Sequence, residues 1–408
     1  MPEKIRFLDR KTPPHIATLV IITAAGALNM NVVLPSLPGI AEYFSVSYSY
    51  VQLLISAYLA ATAVMQLLIG PLSDRYGRRL VMLISLAVFL AASILCIFAP
   101  NFETLLAGRM IQTVVVSGIA LSRAVVRDMV GMEDAASLIG YISMGMAVVP
   151  MFGPLIGGVL DEIFGWQAAF FVTMMFGALA LLLVFFDMGE TNRKPSRSIG
   201  DQFKAYPELF RSRRFWGYAL SAAFTSGAFF AFLGGAPYIS INMLGLSPSE
   251  LGAYFALTAI GYMLGNYFSG RYSKRIGINR MMLLGNVVAG TGMIMALITF
   301  AAGATHPLAF FGFMGFVGLG NGISLPNANA GVVSVRPHLA GSASGLGGAL
   351  MIGGGAALSV LSGAALGPET GPYPLLCIML ASSILGACAA LYVMRVAKQA
   401  SRELGETA

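Results

Sequence analysis

The stretch Gln66–Leu80, QLLIGPLSDRYGRRL, places one acid and three bases within the six positions from Asp74 to Arg79. Around it the chain is apolar: of 408 residues, 11% are charged and 57% hydrophobic. A chain of this composition has the bilayer as its solvent, so the charged stretch reads as a turn between two membrane spans. Apolar runs long enough to cross a hydrocarbon core of about 30 Å extend on both sides of it. They cover 16–37, 51–71, 80–99, 104–126, 137–160, 166–186, 215–236, 250–270, 281–302, 307–327, 340–364 and 373–394. These twelve spans predict an all-α membrane protein.

The net charge of +7 would suit a nucleic-acid binder, but its distribution points elsewhere. With the N-terminus inside, the inner breaks fall at 72–79, 127–136, 187–214, 271–280 and 328–339. Those breaks, the two tails and the inner span ends hold every Lys and Arg except Arg109. The outer breaks carry acids such as Glu42, Asp161, Glu162 and Glu369, and no Lys or Arg. This positive-inside asymmetry predicts both termini in the cytoplasm and no nucleic-acid partner. The first apolar run is too long for a signal-peptide core and follows Lys4, Arg6, Arg10 and Lys11, which predicts a retained first helix. Cys96, Cys377 and Cys388 all lie inside apolar runs and imply no disulfide framework.

The basic segment 187–214 divides the chain into six spans, 1–186, and six more, 215–408. At an offset of 200 residues Gly70, Ser73, Arg75 and Gly77 align with Gly270, Ser273, Arg275 and Gly277, while Gly118, Gly145 and Gly153 align with Gly318, Gly345 and Gly353. Matches at one offset, at corresponding span ends, predict two homologous six-helix bundles. Duplicated bundles of this kind are a transporter architecture, with the substrate site near the bilayer midplane.

At this point the motifs carry a resemblance. GPLSDRYGRR (70–79) resembles the signature between the second and third helices of the major facilitator superfamily. GPLIGG (153–158) is similar to the fifth-helix motif of its drug:proton antiporters, and RMIQTVVVSGIALSRAVVRD (109–128) to their fourth-helix motif. With LPSLPGIA (34–41), the stretch 52–79 resembles the Bcr/CflA branch, whose members export bicyclomycin, chloramphenicol-type drugs and other small molecules. The resemblance implies two pseudo-symmetric six-helix bundles in a bacterial inner membrane, functioning as a monomer, with a small-molecule substrate and a proton as the coupling ion. An importer or facilitator of a metabolite or organic acid is the other transporter reading, because direction is not written in the residues.

Gly70 and Gly77 allow a tight backbone path, and Asp74 is a candidate to accept N–H groups at a neighbouring helix start. Arg75, Arg78 and Arg79 would sit among anionic lipid headgroups in any case. The resemblance implies more for Asp74 and Arg78: with Asp128 they form a network that holds one conformational state. The second copy carries Lys274 in place of Asp74, which predicts a weaker latch there. In the fifth span Pro150 and Pro154 permit a kink, and Gly153, Gly157 and Gly158 permit close helix approach. The resemblance implies that this face seals the two halves against leak.

Arg109 lies roughly 9 Å below the outer end of the fourth span, and an ionisable group inside a membrane is a functional-site hypothesis unless it snorkels to the surface. Gln112 lies one turn further along the same face. None of the eighteen acids falls deep within a span. Relatives of the branch carry an Asp four residues before the Pro of the LP pair; here that place is Asn31, which cannot exchange a proton near neutral pH. Asn31 with Arg109 and Gln112 is therefore the expected substrate or coupling site. Asn29, Asn321, Asn327 and Asn329 are further polar groups in apolar spans, and Phe229, Phe230, Tyr254 and Tyr262 are candidates for an apolar lining. One fixed cation without a buried acid suits neutral, zwitterionic or anionic amphiphiles better than organic cations.

Enzymatic classes are not expected. There is no phosphate loop and no Gly-Lys pair. His15, His306 and His338 are scattered at span ends, so no metal or cofactor is expected, and no nucleophile and base pair up.

Overall fold

The computed structural model describes residues 6–129, 138, 142, 149, 152–192, 206–336, 339–367 and 369–405, and among these it is all helical. Ten helices are long and apolar enough to cross a membrane among the described residues. Half of the 137–160 span, with Gly145 and Pro150, lies outside the described residues. Contacts divide the chain into two compact units, Met1–Asp201 with Ser247–Ala253, and Gln202–Leu246 with Tyr254–Ala408.

In the first unit α1 (Ile16–Asn31) starts where His15 Nδ1 accepts the Ala17 N–H at 3.2 Å. The helical path runs on through a 3-10 turn, Leu34–Ser36, to Tyr43, beyond the predicted end at 37. Pro35 and Pro38 cause the change of pitch, since neither can donate to the α ladder. α2 (Leu53–Tyr76) and α3 (Arg78–Ile97) are separated by Gly77 alone, so the predicted turn at 72–79 collapses to one residue. α4a (Phe102–Ile111) is capped by Asn101, passes into a 3-10 segment at Gln112–Val116, and resumes as α4b (Ser117–Met129). The described part of α5 is 152–164, and α6 (Gln167–Asp187) closes the unit. Leu19 and Ile22 of α1, Phe89 of α3, Val125 of α4b and Val184 of α6 share its apolar core.

The second unit contains α7 (Arg213–Tyr238), most of α8 (Pro248–Ile276), α9 (Ile278–Ala301), α10 (Pro307–Ser334), α11 (Ala340–Ala365) and α12 (Tyr373–Gly405). Lipid and Leu side chains are equally apolar, so association inside a bilayer depends on backbone approach. Gly261 and Gly265 on α8, and Gly318 and Gly322 on α10, provide it: a Cβ on any of them would overlap main-chain atoms of the facing helix. Phe230 is buried against Gly355, and Tyr254 stacks on Phe311 at 4.9 Å, so these two aromatic side chains are packing residues.

The 200-residue repeat is visible in the backbone. Gly77 has φ 92°, ψ 148°, and Gly277 has φ 88°, ψ 145°, a region open to glycine and closed to L side chains. Their surroundings differ. A Cβ on Gly77 would overlap the Glu190 carboxylate, whereas nothing lies within 4 Å of one on Gly277. Both Ala substitutions are therefore expected to incur backbone strain of about 1–3 kcal/mol, and Gly77→Ala additionally displaces Glu190. Thermal melts of the two variants in detergent check this, with Gly77→Ala melting lower.

Candidate functional site

Arg109 stands in the last turn of α4a and is 1% exposed. It does not reach for the surface. Its Nη1 donates to Asn29 Oδ1 and to Gln112 Oε1, each at 3.0 Å, its Nη2 to the Asn29 carbonyl at 2.8 Å, and its Nε to the Leu54 carbonyl at 3.3 Å. The guanidinium carbon lies 4.2 Å over the Tyr58 ring, and Tyr58 accepts the Asn29 amide at 3.2 Å. Gln112 donates onward to Ser93 Oγ at 2.8 Å. A buried cation is held here by dipoles, carbonyls and a π face, and by no carboxylate among these partners. The change to 3-10 pitch at Gln112 follows from Thr113 and the three valines after it, whose branched Cβ atoms crowd an α turn.

Asn31 is not among the partners of Arg109. Its amide donates to the Ala27 carbonyl at 2.7 Å, and its Cβ faces Gly153. Of the two asparagines on α1, Asn29 is the one that hydrogen-bonds Arg109. Two residues apart on a helix project about 200° apart, so only one of the two asparagines can meet α4a. Tyr58 and Ser93 were missed because a lone Tyr or Ser in an apolar span carries no pattern of its own.

A second cluster centres on Arg78. Its Nη2 meets Asp74 Oδ1 at 2.6 Å, its Nε meets Asp128 Oδ2 at 3.2 Å, and its Nη1 donates to Ser73 Oγ. Thr191 Oγ1 joins Asp128 at 3.3 Å. The α3 start is capped from a distance: Glu190 accepts the Arg78 N–H at 2.9 Å and the Arg79 N–H at 3.1 Å. Asn192 donates to the Asp74 carbonyl at 2.9 Å. Arg79 donates to the Met188 and Phe185 carbonyls at the end of α6, where a cation meets the negative pole of the helix. Arg75 is exposed over the Tyr76 ring, and the Gly70 carbonyl accepts the Ser73 hydroxyl. In the second unit, positions 278 and 279 hold Ile and Asn, and Lys274 makes no ion pair among the described residues.

Asp187, fully buried, accepts the Leu8 N–H at 2.6 Å, the His15 N–H at 2.8 Å and the Thr18 hydroxyl at 2.6 Å. It anchors the segment before α1 to the end of α6.

Along α5 the expected single face divides. Gly153 and Gly157 meet α1, a Cβ on Gly157 overlapping the Val32 carbonyl, while Gly158 meets Pro248 and the Pro154 carbonyl meets Gly252. Gly153 and Gly157 therefore close a seam between two helices of one bundle. Near the end of α5 Glu162 accepts the Ser249 N–H at 2.9 Å, within the first unit. The Ser249 N–H, then the Ser249 and Ser247 hydroxyls, hold the Glu162 carboxyl below its usual range, while burial raises neighbouring Asp161. A depressed carboxyl contributes stability that is present above its unfolded value and lost as pH falls through the folded one. The melting difference between wild type and Glu162→Gln is expected to be largest near neutral pH and to close on acidification below the ordinary glutamate range. A difference constant with pH would contradict it.

The sequence profile of the Major Facilitator Superfamily matches residues 19–360 and 236–408. The chain is similar to an uncharacterized MFS-type transporter, YdgK, of Bacillus subtilis, at 33% identity over 91% of this chain and 93% of that one. It is also similar to the chloramphenicol resistance protein of Pseudomonas aeruginosa, at 30% identity over 88% of this chain and 86% of that one. Among solved structures it resembles a bacterial homolog of the human lysosomal transporter Spinster in an inward-facing, occupied conformation. The TM-score is 0.72 at 19% identity, covering 94% of this chain and 96% of the other.

Proposed function

Because the chain belongs to the major facilitator superfamily, and so is a multi-pass inner-membrane transporter and not an enzyme, we propose that it exports small amphiphilic drugs or metabolites by alternating access. In this reading twelve spans form two six-helix bundles, 1–186 and 215–408, joined by the segment 187–214, with both termini cytoplasmic. α8 and the 137–160 segment supply the two spans beyond the ten apolar helices described. The protein works as a monomer in the lipid bilayer.

The observation that carries the proposal is the buried Arg109, whose hydrogen-bonding partners Asn29, Gln112 and Leu54 are all uncharged. A buried cation is costly to keep, and weak neutral partners can be exchanged for a ligand's carbonyl, hydroxyl or acid group. The kinship with a chloramphenicol resistance protein supports a neutral, polar drug. Asp74, Arg78 and Asp128 act as the latch that holds one state of the cycle. Export is driven by the proton gradient; Asn31 leaves proton exchange to carboxylates at the span ends.

The test is a drug-susceptibility and uptake panel in an efflux-deficient host, with the pH gradient collapsed in one arm. Resistance to neutral drugs that vanishes with the gradient is expected. Uptake of an organic acid, or export indifferent to the gradient, would overturn direction or coupling respectively.

A further inference from the structure

A groove of about 480 Å³ runs between α7 and α12 in the second unit, beside the start of α7. That volume lies within the range of small-ligand clefts. Its floor is set by Gly217, where an added Cβ would come within 2.7 Å of the Val393 Cβ. Trp216, Leu220 and Phe224, four residues apart, line the α7 side, and Leu385, Cys388 and Ala389 the α12 side. Leu220 and Leu385 are 38% and 47% exposed, so the slot opens outward along its length toward the apolar surroundings.

The mouth has the opposite character. Arg211 and Arg213 border it, with Tyr392 across from them. Arg213 Nε donates to the Tyr392 hydroxyl at 3.1 Å, with the guanidinium carbon 5.8 Å over that ring, which fixes the group at the rim and leaves its two Nη amines for another acceptor. Trp216 Nε1 donates to the Phe210 carbonyl at 2.8 Å and holds the segment before α7 across the top. Among the described residues no acid lines the groove, and Glu208 on that segment is ion-paired with Arg336 at 2.7 Å. Arg395 stands three residues beyond Tyr392 on α12 and is exposed.

We propose that this groove binds an anionic phospholipid, with one acyl chain laid along α7 and α12 and the phosphate held by Arg211 and Arg213. A cationic rim over an apolar slot matches a headgroup and tail in charge and in polarity, and basic pockets between membrane helices take anionic headgroups. Guanidinium groups suit phosphate through paired N–H donors. Only the assignment to the inner leaflet rests on the proposed topology; binding itself does not.

The experiment is native mass spectrometry of the full-length protein in detergent, titrated with phosphatidylglycerol and with phosphatidylcholine of identical chains. Wild type is expected to retain phosphatidylglycerol about tenfold better, and each of Arg211→Gln and Arg213→Gln to cut that preference roughly fivefold. Ala389→Trp, which fills the slot and leaves the rim, is expected to lose the bound lipid. Soluble glycerol phosphate is expected not to compete. Equal retention of the two lipids, an unchanged preference in the double Arg variant, or displacement by glycerol phosphate would each overturn the proposal, the last by showing a free-phosphate site. Because no transport is measured, failure of the export reading leaves this result intact.

Discussion

Arg109→Met is expected to abolish export while leaving the protein folded, with melting equal to or above that of wild type. The two outcomes separate function from packing. Methionine fills most of the volume and removes a cation that is 1% exposed and held by uncharged dipoles and the Tyr58 ring. Replacing a buried charge by an apolar side chain of similar volume is often neutral or stabilising. Against this, Asn29 Oδ1 and Gln112 Oε1 lose their donor; both amides can turn toward each other or toward Tyr58 and Ser93, which already belong to the network. Transport has no such compensation. Losing one charge-assisted hydrogen bond to substrate costs about 1.5–3 kcal/mol, so drug resistance should fall by at least about tenfold. Arg109→Lys keeps the charge but cannot donate to Leu54, Asn29 and Gln112 at once, and is expected to fall between. A fall in melting temperature that parallels the loss of resistance through the series would make Arg109 a packing residue.

Much of this arrangement was legible beforehand because its causes are local. Apolar length announces a span, and ten of the expected spans appear as long apolar helices among the described residues. The repeat at 200 residues was legible as well, and Gly77 and Gly277 show why: the same φ and ψ are needed to reverse a helix at a single residue. Gln112 was placed beside Arg109 because three residues apart on one helix is a face-sharing distance.

What failed depended on rotation between helices. The sequence pattern makes Asn29 and Asn31 equivalent, and nothing local tells which faces α4a; packing chose Asn29 for Arg109 and set Asn31 against Gly153. Glu190 escaped notice because it lies in a polar segment where an acid is unremarkable, yet it caps α3 from 111 and 112 residues away in the chain. Asp187 is similar, since its burial comes from the segment before α1 folding over it. Gly157 and Gly158, neighbours on one helix, meet α1 and Pro248. A motif read as one surface was two.

The second large effect is expected at Arg78, and it should be non-additive. Asp74 and Asp128 meet the same guanidinium, at 2.6 and 3.2 Å, through different nitrogens. Arg78→Gln should remove both contacts and slow transport at least as far as Asp74→Asn and Asp128→Asn combined, with expression intact because the α3 cap uses the Arg78 N–H and not its side chain. Asp74→Asn alone leaves Arg78 held by Asp128 and Ser73 and should slow transport less. In the Arg78→Gln background the Asp74→Asn change should then add little, as expected of residues that share one partner. Both carboxylates are 26% exposed, so the coupling should weaken as salt is raised on that side of the membrane. Lys274, standing where the second copy would need its acid, marks the same node as already open there, so Lys274→Asp, with no arginine at position 278 to receive it, should not slow or speed transport. Full additivity of Arg78→Gln and Asp74→Asn in vesicle flux would separate the two residues and dissolve the latch.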